Sequence, residues 1–412
     1  MEFYRFTRTI AISIVRPIRQ LSTWASGLAL LLSACAAPSH QVRTTRQGRA
    51  TAATPPQMVR STEASEAQLN LAHKQGYAEE LALKWYLAHA APAAHQQPAG
   101  EYLVAYTLSA PEGWYDLAGE ALSWHEPTGG ATAHLRIFVR DAADGRPLPG
   151  LTVQATFTPA GGAALPVQAL PAGWYPLLAA YGENVALPTG TYHLRLDISA
   201  LPTRRHDPYN GDRLTHSAVA EFDKVPVAAE QLTRQAPLSD AAATDAELAQ
   251  AQGDAYHETL AALYEDANSG AAQPAGDYLA GYAIDYALAA WELQDGKFKY
   301  AIDTEESTQL NAHVEATVQE ARTGRFVPGL HLLATLADGQ GRPLGAQELP
   351  FEWHPWVFHY GENWRVPHSG YYRLHLHADA PSFRRYGRTA GRVFARGFDV
   401  NFDSVRVVTG AK

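Results

Sequence analysis

The side chains able to do chemistry in this chain are mostly imidazoles and carboxylates. Its 412 residues include 17 His and 42 Asp plus Glu, but only 2 Met and 1 Cys. A single cysteine leaves no internal disulfide framework and no CxxC metal or redox pair. Metal chemistry must therefore rest on imidazole, carboxylate and phenolate. Such groups stand two apart in His313-Val314-Glu315 and in His375-Leu376-His377. Residues i and i+2 of a strand point to one face, so each pair can reach a common target. Taken alone, each also reads as an ordinary polar pair on a solvated face, and for His375 and His377 that reading is the stronger. No G-x-S-x-G, P-loop or dinucleotide fingerprint occurs, and His257-Glu258 is followed by Ala261 where a zinc protease needs its second His. These patterns place an enzyme behind a binding protein. The net charge of 33 − 42 = −9 supplies no basic stripe for nucleic acid.

The elements that must position these residues are organised by a duplication. Gln97-Pro98-Ala99-Gly100-Glu101-Tyr102-Leu103 returns as Gln273-Pro274-Ala275-Gly276-Asp277-Tyr278-Leu279. From 133 to 188 the chain matches itself at an offset of 179, with 23 of 56 positions identical. Tyr181-Gly182-Glu183-Asn184 recurs as Tyr360-Gly361-Glu362-Asn363, a segment whose Gly and Asn suit a turn. Copies this long read as whole domains rather than solenoid units. Each opens with a helical pattern, on a face of Tyr77, Leu81, Trp85 and Ala88 in the first copy and of Tyr256, Leu260 and Leu263 in the second. Thr244-x-x-Glu247 reads as the capping box of the second helix. The rest alternates with period two between Gly- and Pro-containing turns. That pattern predicts a mainly β fold, a β-sandwich of seven or eight strands per copy.

The N-terminus reads as an address. Arg5, Arg8, Arg16 and Arg19 precede a 12-residue largely apolar run, Leu21 to Leu32, which suits a signal peptide better than a membrane span. It ends in Leu32-Ser33-Ala34-Cys35, which resembles a lipobox, so Cys35 is the expected lipidation site. Ala36 rather than Asp then favours the outer membrane in a Gram-negative cell. The expected organisation is a signal peptide over 1–34, a flexible tether over 35–60, a first repeat over 61–228, a linker over 229–243 and a second repeat over 244–412.

The order of motifs resembles the periplasmic high-affinity iron-transport proteins of bacteria. It runs from a His-x-Glu strand through Pro-Gly-Leu, Trp-x-Pro, His-Tyr-Gly-Glu-Asn, Gly-x-Tyr-x-Leu and Arg-His to a closing Phe-Asp. The resemblance covers about 131–227 and 310–407. It implies immunoglobulin-like β-sandwiches that bind copper and iron beside an inner-membrane iron permease. The leading helices and the duplication are not carried over from that family. By this resemblance the metal ligands of the second copy are His313, Glu315 and His359. Glu352 stands where the family has Met, and His354 is near enough to substitute. The first copy has His134 but carries Arg136, Gly173 and Ala180 at the other positions, and a guanidinium cannot ligate a cation. The family's last His is kept only in the first copy, as His206. The second copy has Tyr386 there, a phenolate candidate for ferric iron. A site of imidazole and carboxylate without Met suits Cu(II), Fe or Zn better than Cu(I).

The sequence thus points to a lipid-anchored envelope protein that binds copper or iron, with zinc open, and assists iron acquisition. The site is expected in the second copy, the first serving as structural partner in a pseudo-dimer within one chain. The second copy is expected to fold alone. The alternative is a non-metal surface lipoprotein that holds a protein or glycan through its aromatic edge, where Trp353, Trp356 and Trp364 cluster in sequence.

Overall fold

The computed structural model describes residue 58 and residues 60–119, 121–265, 268–301 and 309–409. Cys35, with the leader and most of the tether, lies outside the described residues. Among the described residues no helix is long and apolar enough to cross a membrane.

The fold is mainly β. The first copy opens with α1 (Glu66–His89), then β1 (Ala94–Ala99), β2 (Tyr102–Ser109), β3 (Trp114–Ala118), β4 (Ala121–His125) and β5 (Ala133–Asp141). It continues with β6 (Val153–Pro159), β7 (Gln168–Leu170), β8 (Ala172–Trp174), β9 (Ala179–Val185), β10 (Gly190–Ile198), β11 (Arg204–Arg205) and β12 (Ala218–Val227). Residues 229–243, expected as a plain linker, hold two short helices, α2 (Ala229–Leu232) and α3 (Leu238–Ala242). The second copy repeats the order: α4 (Ala246–Leu263), β13 (Ser269–Ala275), β14 (Tyr278–Asp285), β15 (Ala290–Gln294), β16 (Lys297–Ala301) and β17 (Ala312–Glu320). After these come β18 (Leu332–Asp338), β19 (Pro343–Leu349), β20 (Phe351–Trp353), β21 (His359–Trp364), β22 (Gly370–Ala378), β23 (Arg384–Tyr386) and β24 (Phe398–Val407). Among the described residues each copy therefore has twelve strands rather than seven or eight. The extra ones are two- to five-residue pieces, too short to show alternation.

Each copy forms a four-stranded sheet, β12-β10-β6-β7 or β19-β18-β22-β24, and contributes to an eight-stranded one. The period-two residues face inward between them. Leu135, Ile137, Phe157, Leu194 and Leu196 fill the first core, and Val314, Ala316, Leu374, Leu376 and Phe402 the second. Fully burying each of the larger side chains contributes about 1.5–3 kcal/mol.

The eight-stranded sheets are not built from one copy each. Their orders are β1-β2-β5-β9-β8-β23-β3-β4 and β13-β14-β17-β21-β20-β11-β15-β16. So β11 of the first copy lies between β20 and β15 of the second, and β23 of the second lies between β8 and β3 of the first. The buried Arg205 guanidinium fastens the first exchanged segment by donating to the carbonyls of Leu201, Thr203 and Gly211. Arg385 does the same for the second through the carbonyls of Pro381, Phe383, Val393 and Phe394.

The helices also join the copies. Gln75 of α1 donates to Thr259 of α4 at 2.8 Å, and the Tyr256 hydroxyl donates to Glu79 at 2.7 Å. This corrects the expected face of α1. The helix buries Ala72, Gln75, Gly76, Glu79, Ala82, Leu83 and Tyr86, while Tyr77 is 61% exposed. Gly76 is required because a Cβ there would stand 1.8 Å from the carbonyl oxygen of Asp144. The second helix begins one residue later than the expected box. It is capped by Asp245, which accepts the Leu248 N–H at 3.0 Å.

Candidate metal centre

Four buried side chains converge on one point: His206, His313, Glu352 and His359. One donor atom from each lies within 4.8 Å of all the others. His313 comes from β17, Glu352 from β20 and His359 from β21, all in the second copy. His206 follows directly on the exchanged strand β11, so the first copy supplies the fourth member. Glu352 Oε2 is the hub, 2.7 Å from His206 Nε2, 3.1 Å from His359 Nε2 and 3.5 Å from His313 Nε2.

The Tyr-Gly-Glu-Asn segment builds this geometry as a strand, not as a turn. The Tyr360 hydroxyl donates to the Val327 carbonyl and accepts the Leu330 N–H, holding the Pro-Gly-Leu turn. Glu362 takes the Arg204 guanidinium at 2.8 Å. Asn363 Oδ1 accepts the Leu288 N–H at 3.0 Å and lies 3.1 Å from His313 Nδ1. An acceptor there fixes the proton on Nδ1 and turns the lone pair of Nε2 toward the cluster, the outer-shell arrangement common to metal-bound histidines. Gly361 lines the cluster itself. A Cβ at this residue would come within 2.5 Å of His313 Nε2 and 2.7 Å of Glu352 Oε2.

Charge in the cluster is balanced by one proton. His206 Nδ1 faces the Ala289 carbonyl at 3.2 Å and Nε2 faces the Glu352 carboxylate, so both nitrogens donate. Burial alone would lower the His206 pKa, but Glu352 outweighs it and raises the value to about 9. Burial would likewise raise the Glu352 pKa. The His206 charge and the hydrogen bonds of His206 and His359 hold it well below the usual carboxylate range. The other carboxylate oxygen of Glu352 lies 3.5 Å from Arg204.

The remaining expected residues fall at different places. His354 is buried beside the cluster, with ring centroids 5.8 Å from those of His206 and His359, but its Nε2 faces Glu63 at 3.7 Å. Burial and the neighbouring cationic groups push its pKa well down. Glu315 is buried on the same strand as His313 but stands outside the convergent four. Tyr386, expected near the second copy's ligands, is corrected to the first copy, because β23 crosses over. There it stacks on Tyr175 at 4.1 Å. Trp353, Trp356 and Trp364 are all buried and present no aromatic edge to solvent.

The corresponding place in the first copy is closed by protein. His134 has the same support, Nδ1 lying 3.0 Å from Asn184 Oδ1. Its Nε2, however, meets the Tyr175 hydroxyl at 3.0 Å. Arg136 fills the Glu315 position and pairs with buried Glu112 at 2.6 Å. Burial pushes the His134 pKa down to about 4, with Glu112 opposing, so the ring is neutral.

The donor set fits a transition metal ion. His313 Nε2, which faces Glu352, is a buried ring nitrogen without a hydrogen bond, and imidazole with carboxylate suits Cu(II), Fe(II) or Zn(II). His206, His313, Glu352 and His359 would hold the ion.

No protein-family model matches the chain, and no curated protein matches it. Solved structures similar to it include FetP of uropathogenic Escherichia coli strain F11, at 15% identity and a TM-score of 0.25, covering 35% of this chain and 96% of that one. A copper-bound variant of FetP matches at 18% identity and a TM-score of 0.25, covering 33% and 92%. A copper-bound variant of the P19 protein of Campylobacter jejuni matches at 16% identity and a TM-score of 0.26, covering 32% and 96%.

Proposed function

We propose that the chain is a cell-envelope protein that binds a transition metal ion at a buried centre shared by its two copies. The observation that carries this reading is the convergence of three buried imidazoles on one buried carboxylate, with Gly361 keeping the place clear of a side chain. When bound, the ion supplies the cationic charge that the His206 proton now supplies to Glu352. Asn363 orients His313, Arg204 steadies Glu352, and the surrounding sheet excludes water. The protein acts by holding the ion rather than by catalysis.

In the same reading Cys35 carries a lipid, and the tether leads from the membrane to α1. Iron acquisition beside an inner-membrane permease is the role that the motif order suggests. Copper is the alternative cargo or the companion ion. The test is loading of the purified chain with Cu(II), Fe(II) and Zn(II), followed by elemental analysis after gel filtration. The reading expects one tightly held ion per chain. A chain that retains none of the three returns the protein to the class of non-metal surface lipoproteins. Cys35→Ala should move the protein from the membrane fraction to the soluble one, since a lipid contributes about 0.8 kcal/mol per buried CH₂.

A further inference from the structure

A second set of donors lies on the outer face of the sheet β19-β18-β22-β24. His375 and His377 alternate with Leu374 and Leu376, which are buried in the core, so both imidazoles point outward. Asp399 stands opposite His377 on β24. Its Oδ1 lies 3.0 Å from His375 Nε2 and 3.0 Å from His377 Nδ1. The group continues along the same face. His377 Nε2 is 3.8 Å from Asp379, and His331 lies 3.8 Å from Asp379 and 3.4 Å from Glu348. Three imidazoles and three carboxylates thus form one row.

The duplication provides an internal comparison. At the equivalent place in the first copy, Arg195 stands for His375 and Asp197 for His377. Arg195 pairs with Asp197 at 2.6 Å and with Glu221 at 3.1 Å, so that face carries its own cation. In the second copy Asp399, Asp379 and Glu348 face imidazoles instead. Two rings already converge on one carboxylate on a half-exposed face.

We propose that His375, His377 and Asp399 form a second, exchangeable site for a borderline divalent transition metal ion such as Cu(II), Ni(II) or Zn(II). Being exposed, it binds and releases faster and more weakly than the buried centre. It stands on different residues and does not depend on the buried centre being a metal site.

The test is equilibrium dialysis of the full-length chain, without a polyhistidine tag, against Cu(II). The wild type is expected to bind two ions, and His375→Ala/His377→Ala one, with an unchanged melting temperature. Asp399→Asn should weaken the second equivalent at least about tenfold. A surface variant that binds as many ions as the wild type overturns the proposal. The variant His313→Ala/His359→Ala separates the sites by keeping the weaker ion alone. Should that variant fail to fold, the surface variant still decides, because its substitutions lie outside the core. A wild type that binds only a weak ion, lost in His375→Ala/His377→Ala, would count against the buried centre only.

Discussion

At the scale of single residues, Gly361 and Gly182 hold the same position in the two copies with opposite consequences. A Cβ on Gly361 would press on His313 and Glu352, whereas one on Gly182 would stand 2.1 Å from the Tyr175 hydroxyl. Gly361→Ala should therefore abolish metal binding with a modest fall in melting temperature. Gly182→Ala should lower the melting temperature and leave metal affinity unchanged. Calorimetric titration and thermal denaturation of both variants check the pair. Asn363→Ala frees His313 Nδ1 and strips two bonds from Leu288, and affinity should fall about 10–100-fold, as for other outer-shell partners. His313, His359 and Glu352 were legible in sequence because they sit in recognisable segments within one copy. The role of Asn363 was not. A side chain that bonds a ring fifty residues away looks, in sequence, like a turn former.

At the scale of elements, the exchanged strands decide what one copy can do alone. β11 and β23 are two and three residues long and have no periodicity, so nothing local signals that each crosses to the other copy. This is why His206 could be named as a candidate but not placed, and why Tyr386 was expected at the wrong centre. The α1 face was misread for a related reason. The helix buries Gln75 and Glu79, whose value lies in partners on α4 rather than in hydrophobicity. An isolated 244–412 fragment lacks β11 and exposes β20 and β15 to pairing. It should form a symmetric dimer in which each chain lends β23 to the other, placing Tyr386 where His206 belongs. Sedimentation should show the dimer, and its metal affinity should be at least tenfold weaker than that of the full chain. Tyr386→His in that fragment should restore much of it. A monomeric fragment with full affinity would show that the crossing strands are dispensable.

At the scale of the whole molecule, the α1–α4 contact ties the copies through a buried carboxyl. Burial raises the Glu79 pKa to about 7, with Arg325, the Tyr256 hydroxyl and Arg140 opposing. The unfolded chain ionises this group near 4.5, so folding stability is lost as pH rises from about 4.5 to 7 and is level above that. The shift is worth about 3 kcal/mol. Glu79→Gln removes the ionisation while keeping the acceptor for Tyr256. Relative to wild type, the variant should gain about that amount between pH 4.5 and pH 8, measured by denaturant unfolding at both. His134 works in the other direction. Its folded pKa of about 4 lies below the unfolded 6.5, so it removes stability as pH falls between those values. The mainly β fold, the duplication and the two leading helices were legible because they repeat or alternate over many residues. The interlocking of the copies was not, because it depends on pairings more than eighty residues apart.

The central claim is that one ion is held jointly by the two copies, and its most direct test is a Cu(II) titration of His206→Ala beside His313→Ala and His134→Ala. His206 lies in the first copy by sequence but touches Glu352 of the second at 2.7 Å. His206→Ala should weaken the tight ion as strongly as His313→Ala does, at least tenfold, while His134→Ala leaves it unchanged. Full affinity retained in His206→Ala would contradict a shared centre and confine the site to the second copy.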